Sequence, residues 1–356
     1  MGREETSGAK PVSVMLKNSK TGVEKEFILR PFKDGDEKGM MACIRAEYGD
    51  SYFKPYFYDE AWIREHAKSG DYDFFVGEAD GEIAGMEIFT HFSEIDECVE
   101  PASQILAKEY RGYGLSIALV NYTYDILEAM DIPSIFVHAV TFHSFTQGTC
   151  EKRGMFPVGF RLGRFLTEKM KNSYPKGHCD KHSEGIMIEP VKKREAGVIY
   201  LPEELAPFGK KIYDRIGVLC EIRTSGEVTD TLPAEGEYRI KVDESQEFIE
   251  VLVINEGLDL AEKMTELVKT YRGKGYYSIQ IALYDDTPTI LKNYEELKKA
   301  GYFFTGFKPV CGKREQLYMQ WVDDWNLCME DYVLTDSFAE IREYIQEFYK
   351  NRHVNN

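Results

Sequence analysis

Apolar residues recur along the chain with two distinct periods, and these periods predict most of its elements. Glu26–Arg30 (EFILR) reads as a strand that stops at Pro31. Asp36–Tyr48 carries Met40, Met41 and Ile44 at helical spacing, and Asp59–Lys68 predicts a second helix with Asp59 as N-cap and Ser69-Gly70 as its stop. Asp73–Ala79 and Glu82–Phe89 flank Asp80-Gly81, a tight hairpin turn. A strand (Cys98–Ala107), a helix (Gly112–Ala129), a strand (Ile135–Phe142), a short helix (Ser144–Arg153) and a strand (Gly159–Phe165) follow. The second half repeats strand, helix, strand, helix and strand over Phe248–Ile254, Leu258–Thr270, Tyr277–Tyr284, Leu291–Ala300 and Thr305–Val310. The 50 residues from Gln104 to Gly154 equal the 50 from Val251 to Gly301, so a second, diverged copy is expected. Phe338, Ile341, Ile345 and Phe348 predict a closing amphipathic helix docked on that copy. The class is α/β, mixed α+β.

Length and charge narrow the functions. A chain of 356 residues suggests two domains, and 43% hydrophobic with 13% aromatic residues excludes wholesale disorder. Sixty-one acidic residues face 44 basic ones, for a formal charge of −17. Such a surface repels nucleic acid and anionic membranes and draws in cations such as amines. The seven cysteines are scattered without a CxxC pair, as expected of reduced thiols in a cytoplasmic protein. No apolar run is long enough to span a bilayer, and the first residues lack a hydrophobic signal core. Met1-Gly2-Arg3-Glu4-Glu5-Thr6 fits the bare myristoylation pattern, but its charged flanks argue against lipidation. His178-Cys179-Asp180-Lys181-His182 is an incomplete ligand set, and no metal is expected.

Tyr110-Arg111-Gly112-Tyr113-Gly114-Leu115-Ser116 joins a predicted strand to a predicted helix. A glycine turn there lets backbone N–H groups crowd an anion at the helix N-terminus, and Arg111 adds a full charge. Tyr271-Arg272-Gly273-Lys274-Gly275 repeats the motif, but it follows a helix and reads as a helix-ending turn. In the second copy the equivalent position is Asn255-Glu256-Gly257, with a carboxylate and no Arg. It is expected to be unfit for pyrophosphate, and that copy non-catalytic.

The order of elements, the Arg-Gly-x-Gly-x-Ser loop and Glu151-Lys152-Arg153-Gly154-Met155 resemble the GNAT (Gcn5-related N-acetyltransferase) superfamily. Arg111, Gly114 and Ser116 fit its Q/R-x-x-G-x-G/A signature, and Ala139–Gln147 with Phe160–Phe165 resembles a bacterial tandem subgroup. The resemblance implies two GNAT-like domains in tandem, each a twisted, mostly antiparallel sheet flanked by helices. Residues 1–25 would be a polar tail or edge hairpin, 26–170 the N-terminal domain, 171–195 a linker and 196–356 the degenerate C-terminal domain. It implies acetyl-CoA as cofactor, lined by Ile105, Leu106, Ala107, Arg111, Gly112, Tyr113, Gly114, Leu115 and Ser116. A primary amine of a small molecule would attack the thioester directly in a ternary complex, with a backbone N–H near Leu106 as oxyanion donor.

Aligning Gly154 with the family's glycine puts His143 in the place of its usual Asn and Cys150 in the place of its usual Tyr, so the usual acid is absent. Glu100 stands where some members carry a base acting through water, and His143 shares that candidacy. His138, five residues before His143, would lie on the opposite strand face. Tyr52, Tyr56 and Tyr58 would wall the acceptor and hold a cationic amine by cation–π attraction, with Glu47, Asp50 and Asp59 adding charge. The second copy would shape the acceptor cleft or pair two chains, giving a monomer or homodimer. A non-catalytic acyl-CoA sensor or interaction module, and an acyltransferase for another acyl group or a hydroxyl, are the alternatives.

Overall fold

The computed structural model describes residues 9–352 except 51, 53, 93–97, 131, 171–178, 192–194, 229–231, 276, 310–313 and 324. The chain forms two compact units, 1–135 and 136–356, each a mostly antiparallel sheet flanked by helices.

In the first unit, β1 (Val12–Lys17), β2 (Glu24–Pro31), β3 (Tyr72–Ala79), β4 (Glu82–Phe92) and β5 (Cys98–Leu106) pair antiparallel in chain order. The polar N-terminal stretch is therefore an edge hairpin over its described part, Val12 opposite Leu29 and Lys17 opposite Glu24. Ile135, near the start of β6 (Ser134–Val140), pairs parallel with Val99. The helices are α1 (Glu37–Tyr48), α2 (Glu60–Ser69) and α3 (Leu115–Ala129). Asp59 caps α2 as expected, accepting the N–H of Ala61 at 2.8 Å and of Trp62 at 3.3 Å.

Two features of this sheet position the loop before α3. Gly77 and Gly85 face each other across β3 and β4. A Cβ on Gly77 would lie 2.9 Å from Leu115 Cδ1, and one on Gly85 would lie 2.4 Å from Leu106 Cδ2. The paired glycines leave a hollow that the buried Leu115 fills, which seats the N-terminus of α3 on the strands. Second, Ile88 pairs with Ser103 while Phe89 pairs with Pro101, leaving Ala102 as the extra residue of a bulge in β5.

In the second unit the order is β6, β8 (Lys181–Pro190), β7 (Phe156–Leu166), β14 (Phe303–Lys308), β15 (Gln316–Val322), β13 (Ser278–Tyr284), β12 (Phe248–Asn255) and β11 (Glu237–Asp243). β12 and β13 run parallel, joined by α6 (Leu260–Arg272). β9 (Glu195–Tyr200) and β10 (Leu219–Arg223) form a separate parallel pair. The other helices are α4 (Phe145–Lys152), α5 (Ala206–Ile216), α7 (Thr289–Lys299) and α8 (Asp336–Asn351). The stretch expected as a linker thus includes β8, which pairs antiparallel with β7. Its first eight residues are all buried, Lys181, His182, Ser183 and Glu184 among them, so it shows no alternation to read.

The repeat has a structural counterpart inside this unit. Gly154 (φ +96°) and Gly301 (φ +89°) each end a helix in the left-handed region. Each opens a G-x-F-x-x-G-F run, 154–160 and 301–307, and the second glycines, Gly159 and Gly306, face each other where β7 pairs with β14. A Cβ on Gly159 would lie 2.6 Å from Gly306 Cα, so only glycine permits this approach. α8 lies against β7 and β14 with Phe338, Ile341 and Ile345 fully buried. The Tyr271–Gly275 motif ends α6, as its position predicts. No helix among the described residues is long and apolar enough to cross a membrane.

Candidate functional site

The loop from Tyr110 to Ser116 turns on two left-handed glycines, Gly112 (φ +87°) and Gly114 (φ +83°). Asn18 Nδ2 donates to the Arg111 carbonyl at 3.2 Å, and the Ser19 N–H donates to the Gly112 carbonyl at 2.9 Å. Tyr110 and Tyr113 pack edge-on against Phe27, with centroids 6.0 and 5.5 Å away. Gly114 is the N-cap of α3; no side chain caps the helix, and its first turn carries no acidic residue. A Cβ on Gly114 would meet nothing within 4 Å. The result is a braced turn at the N-terminus of α3, whose first-turn N–H groups no side chain caps.

Arg111 is engaged in this arrangement. Its Nη2 donates to Glu47 Oε2 at 2.5 Å and to the Leu106 carbonyl at 3.5 Å. Both side chains of the ion pair are part-exposed, so it contributes about 0.2–1 kcal/mol and can yield to an incoming anion. The neighbouring acids are likewise committed: Asp50 pairs with Arg45 at 3.3 Å and Asp59 caps α2.

The bulge at Ala102 determines what shares a face with Glu100. Without it, Glu100 and Ser103 would point to opposite sides of the sheet; with it, they point to the same side. Tyr72 on β3 pairs with Thr90 on β4, and Thr90 with Glu100 on β5, making a cross-strand row. Tyr56 hydrogen-bonds to Tyr72. Burial pushes both phenols above their ordinary pKa, and the nearby Glu100 carboxylate pushes further in the same direction. Tyr52 is buried, with its hydroxyl 2.8 Å from Ser103 Oγ, to which Lys54 Nζ also donates at 3.3 Å. Tyr58 donates to the Gly49 carbonyl at 2.6 Å.

Of the three predicted tyrosines, Tyr56 stands beside Glu100, whereas Tyr52 and Tyr58 pack and brace the connection. Reasoning from sequence missed Tyr72, Ser103, Lys54 and the brace from Asn18. The strand register would have found Tyr72 and Ser103 had the bulges been legible.

His143 and Cys150 belong to the second unit, whereas the loop, Glu100 and the tyrosines belong to the first. β6 ends at Val140, so His143 lies beyond the strand, exposed, and strand alternation does not relate it to His138. Its ring centroid is 4.6 Å from that of Phe142, and its carbonyl accepts from Gln147 Nε2 at 3.2 Å. Cys150 is half-buried on α4, and its carbonyl accepts the N–H of Arg153 at 3.0 Å and of Met155 at 3.1 Å. His138 lies 3.5 Å from Arg161 Nη1. His178 lies outside the described residues, among which no group of side chains is arranged to hold a metal ion.

No family model and no curated protein matches the chain. Solved structures are similar to about half of it. The ribosomal-protein-S18-alanine N-acetyltransferase from Escherichia coli is 14% identical over 47% of this chain and 94% of its own, with a TM-score of 0.37. An N-acetyltransferase from Staphylococcus aureus Mu50 is 14% identical over 47% and 99%, with a TM-score of 0.38. A GNAT superfamily phosphinothricin acetyltransferase from Sinorhizobium meliloti, solved with AcCoA, is 18% identical over 46% and 86%, with a TM-score of 0.37. At these identities and TM-scores the likenesses carry no conclusion about activity.

Proposed function

We propose that residues 26–170 form an acetyl-CoA-dependent N-acetyltransferase acting on a primary amine of a small molecule in the cytoplasm. Residues 196–356 are a non-catalytic second copy, and β8, in the stretch before it, pairs with β7 of the catalytic copy. The uncapped N-terminus of α3 behind Gly112 and Gly114 carries this reading, because such an end suits an anion such as a pyrophosphate. Arg111–Ser116, with Ile105, Leu106 and Ala107 on the approaching strand, would hold acetyl-CoA. That group supplies an acyl carbon activated as a thioester.

The chain's own residues manage the acceptor. Glu100 carries a carboxylate on the same sheet face as Tyr56, Tyr72 and Ser103, where it takes a proton from the ammonium, directly or through one water. Tyr56, kept neutral by its raised pKa, offers a ring face and a hydroxyl to the same cation. Net charge favours amines over phosphate-rich partners. The resemblance gives His143 and Cys150 the places of the family's Asn and Tyr, and His143→Ala and Cys150→Ala test those roles through kcat.

The deciding experiment is free-thiol release from acetyl-CoA against a panel of amines, aminoglycosides, polyamines and amino acids. Turnover with one amine class that disappears in Gly114→Glu is the expected result. Tight acetyl-CoA binding with no turnover would favour the sensor alternative, and a preference for longer acyl groups or for hydroxyls would redirect the reaction.

A further inference from the structure

The Cys179–His182 stretch lies at the start of β8, where it meets the arm that leads into α8. Asp180 joins the two. Its N–H donates to the Asn326 carbonyl at 2.8 Å, and one of its carboxylate oxygens accepts the N–H of Asn326 at 2.9 Å. Its carbonyl accepts the N–H of Thr167, just after β7, at 3.0 Å. The end of β7, the start of β8 and the arm before α8 are thereby fixed around one spot in the second unit.

Two thiols lie at this junction. Cys179 Sγ is 3.7 Å from each ring nitrogen of His182 and 3.9 Å from Thr167 Oγ1. Cys328 Sγ donates to Asn326 Oδ1 at 3.1 Å, so it points back toward the residue that Asp180 holds. Cys328 has a left-handed backbone, φ +42°, which residues with a side chain seldom adopt away from functional sites. Both cysteines are free and part-exposed, whereas His182 is buried. The two thiols lie within electrostatic range of one another and of the Tyr332 phenol, whose hydroxyl donates to Ser183 Oγ at 2.6 Å.

The two thiols differ in character. Burial, with the nearby Cys179, Asp331 and Glu330, pushes Cys328 up to about 11, against the opposing hydrogen bond to Asn326. Burial pushes His182 below its ordinary value, so its ring is neutral at pH 7 and can accept a thiol proton.

We propose that Cys179 is a reactive thiol served by His182, and that a low-molecular-weight disulfide such as oxidised glutathione converts it to a disulfide with Cys328. His182 takes the Cys179 proton, and the thiolate attacks one sulfur of the oxidant. The oxidant's S–S bond breaks, and the departing thiolate takes up that proton. Cys328 then attacks the Cys179 sulfur of the mixed disulfide, and the second small thiol leaves with the Cys328 proton. Two protein thiols and one small disulfide become one protein disulfide and two small thiols, so electrons and protons balance. The bond would fasten the start of β8 to the arm before α8. The site is independent of the loop before α3.

The test treats the full chain with oxidised glutathione at pH 7.5 and follows it by non-reducing peptide mapping and mass spectrometry. A Cys179–Cys328 disulfide is expected, with two of the seven thiols lost. Cys328→Ser should stop at a glutathione adduct on Cys179, and Cys179→Ser should leave Cys328 unmodified over the same time. His182→Gln should slow the first step about tenfold. The second step in the wild type should quicken about tenfold per pH unit between pH 7 and 9, as the Cys328 thiolate fraction rises. The serine variants change only part-exposed side chains, so they decide the matter even if His182→Gln misfolds. A glutathione adduct on Cys179 that never passes to Cys328, or reaction at Cys179 no faster than at Cys150 and Cys220, would overturn the proposal. A folded His182→Gln that reacts at the wild-type rate would overturn the role of His182.

Discussion

The hollow made by Gly77 and Gly85 leads to a quantitative prediction. In Gly85→Ala the new methyl would sit 2.4 Å from Leu106 Cδ2, 3.2 Å from the Ile105 carbonyl oxygen and 3.4 Å from Leu115 Cδ2. Leu106 must rotate away, and the strand carrying the carbonyl must give slightly. Overpacking of this kind costs about 1–3 kcal/mol. Replacing a strand glycine by alanine returns about 0.5–1 kcal/mol of backbone entropy. The net loss is then about 0–2.5 kcal/mol.

In a Leu106→Ala background the principal clash is gone and the entropic gain is opposed only by the tight Ile105 carbonyl contact, so the same change should become nearly neutral. The coupling between the two sites should therefore be about 1–3 kcal/mol. Trp62 is the only tryptophan of the first unit, so urea unfolding of the four proteins can be followed by its fluorescence in a common Trp321→Phe/Trp325→Phe background. Additivity within about 0.5 kcal/mol would refute the close packing of Leu106 over Gly85.

Other parts of the structure make equally direct predictions. Gly159→Ala and Gly306→Ala each place a methyl 2.5–2.6 Å from the opposing backbone, which cannot rotate aside, so each should cost about 3 kcal/mol or more; a melting shift within about 2 °C would contradict the close pairing of β7 and β14. Lys181, fully buried and donating to the Glu247 carbonyl at 2.8 Å, has its pKa pushed down to about 7 by desolvation. Between pH 7 and about 10 the unfolded chain binds a proton there that the folded chain does not, so wild-type stability should rise with pH across that window. Lys181→Met should remove about 2–4 kcal/mol of that rise, and parallel stability profiles would show the lysine to be charged when folded. Glu100→Gln should lower kcat by about 10²–10³ at pH 7.5 with acetyl-CoA affinity unchanged, and a purely structural Glu100 would instead shift melting and leave kcat intact.

How far the sequence could be read depended on burial. Asp59 capping α2, the Asp80-Gly81 turn and the glycine loop before α3 are local signals, and each is present where it was expected. Gly154 and Gly301, the anchors of the equal spacing, share the same helix-ending conformation. β8 escaped because it is covered on both faces and spends Lys181, Ser183 and Glu184 in the interior. β10 and β11 escaped for the opposite reason, since most of their residues are exposed and impose little pattern.

The acceptor side was hidden by bulges. Counting back from the hairpin turn pairs Tyr72 with Phe89, but the extra residue at Ala84 moves the pairing to Thr90. The extra residue at Ala102 similarly turns Glu100 toward Ser103. Each irregularity inverts the face assigned by alternation, so Glu100 was legible as a candidate but its neighbours were not.

The most direct test of the central claim is calorimetric titration of CoA into the wild type, Gly114→Ala and Gly114→Glu. Both variants carry the same left-handed strain, about 1–2 kcal/mol, but only the glutamate sets a carboxylate at the N-terminus of α3. The account predicts binding by the wild type, modest weakening in Gly114→Ala and a loss of about a hundredfold or more in Gly114→Glu. Equal CoA affinity in all three proteins, or none in the wild type, would contradict it.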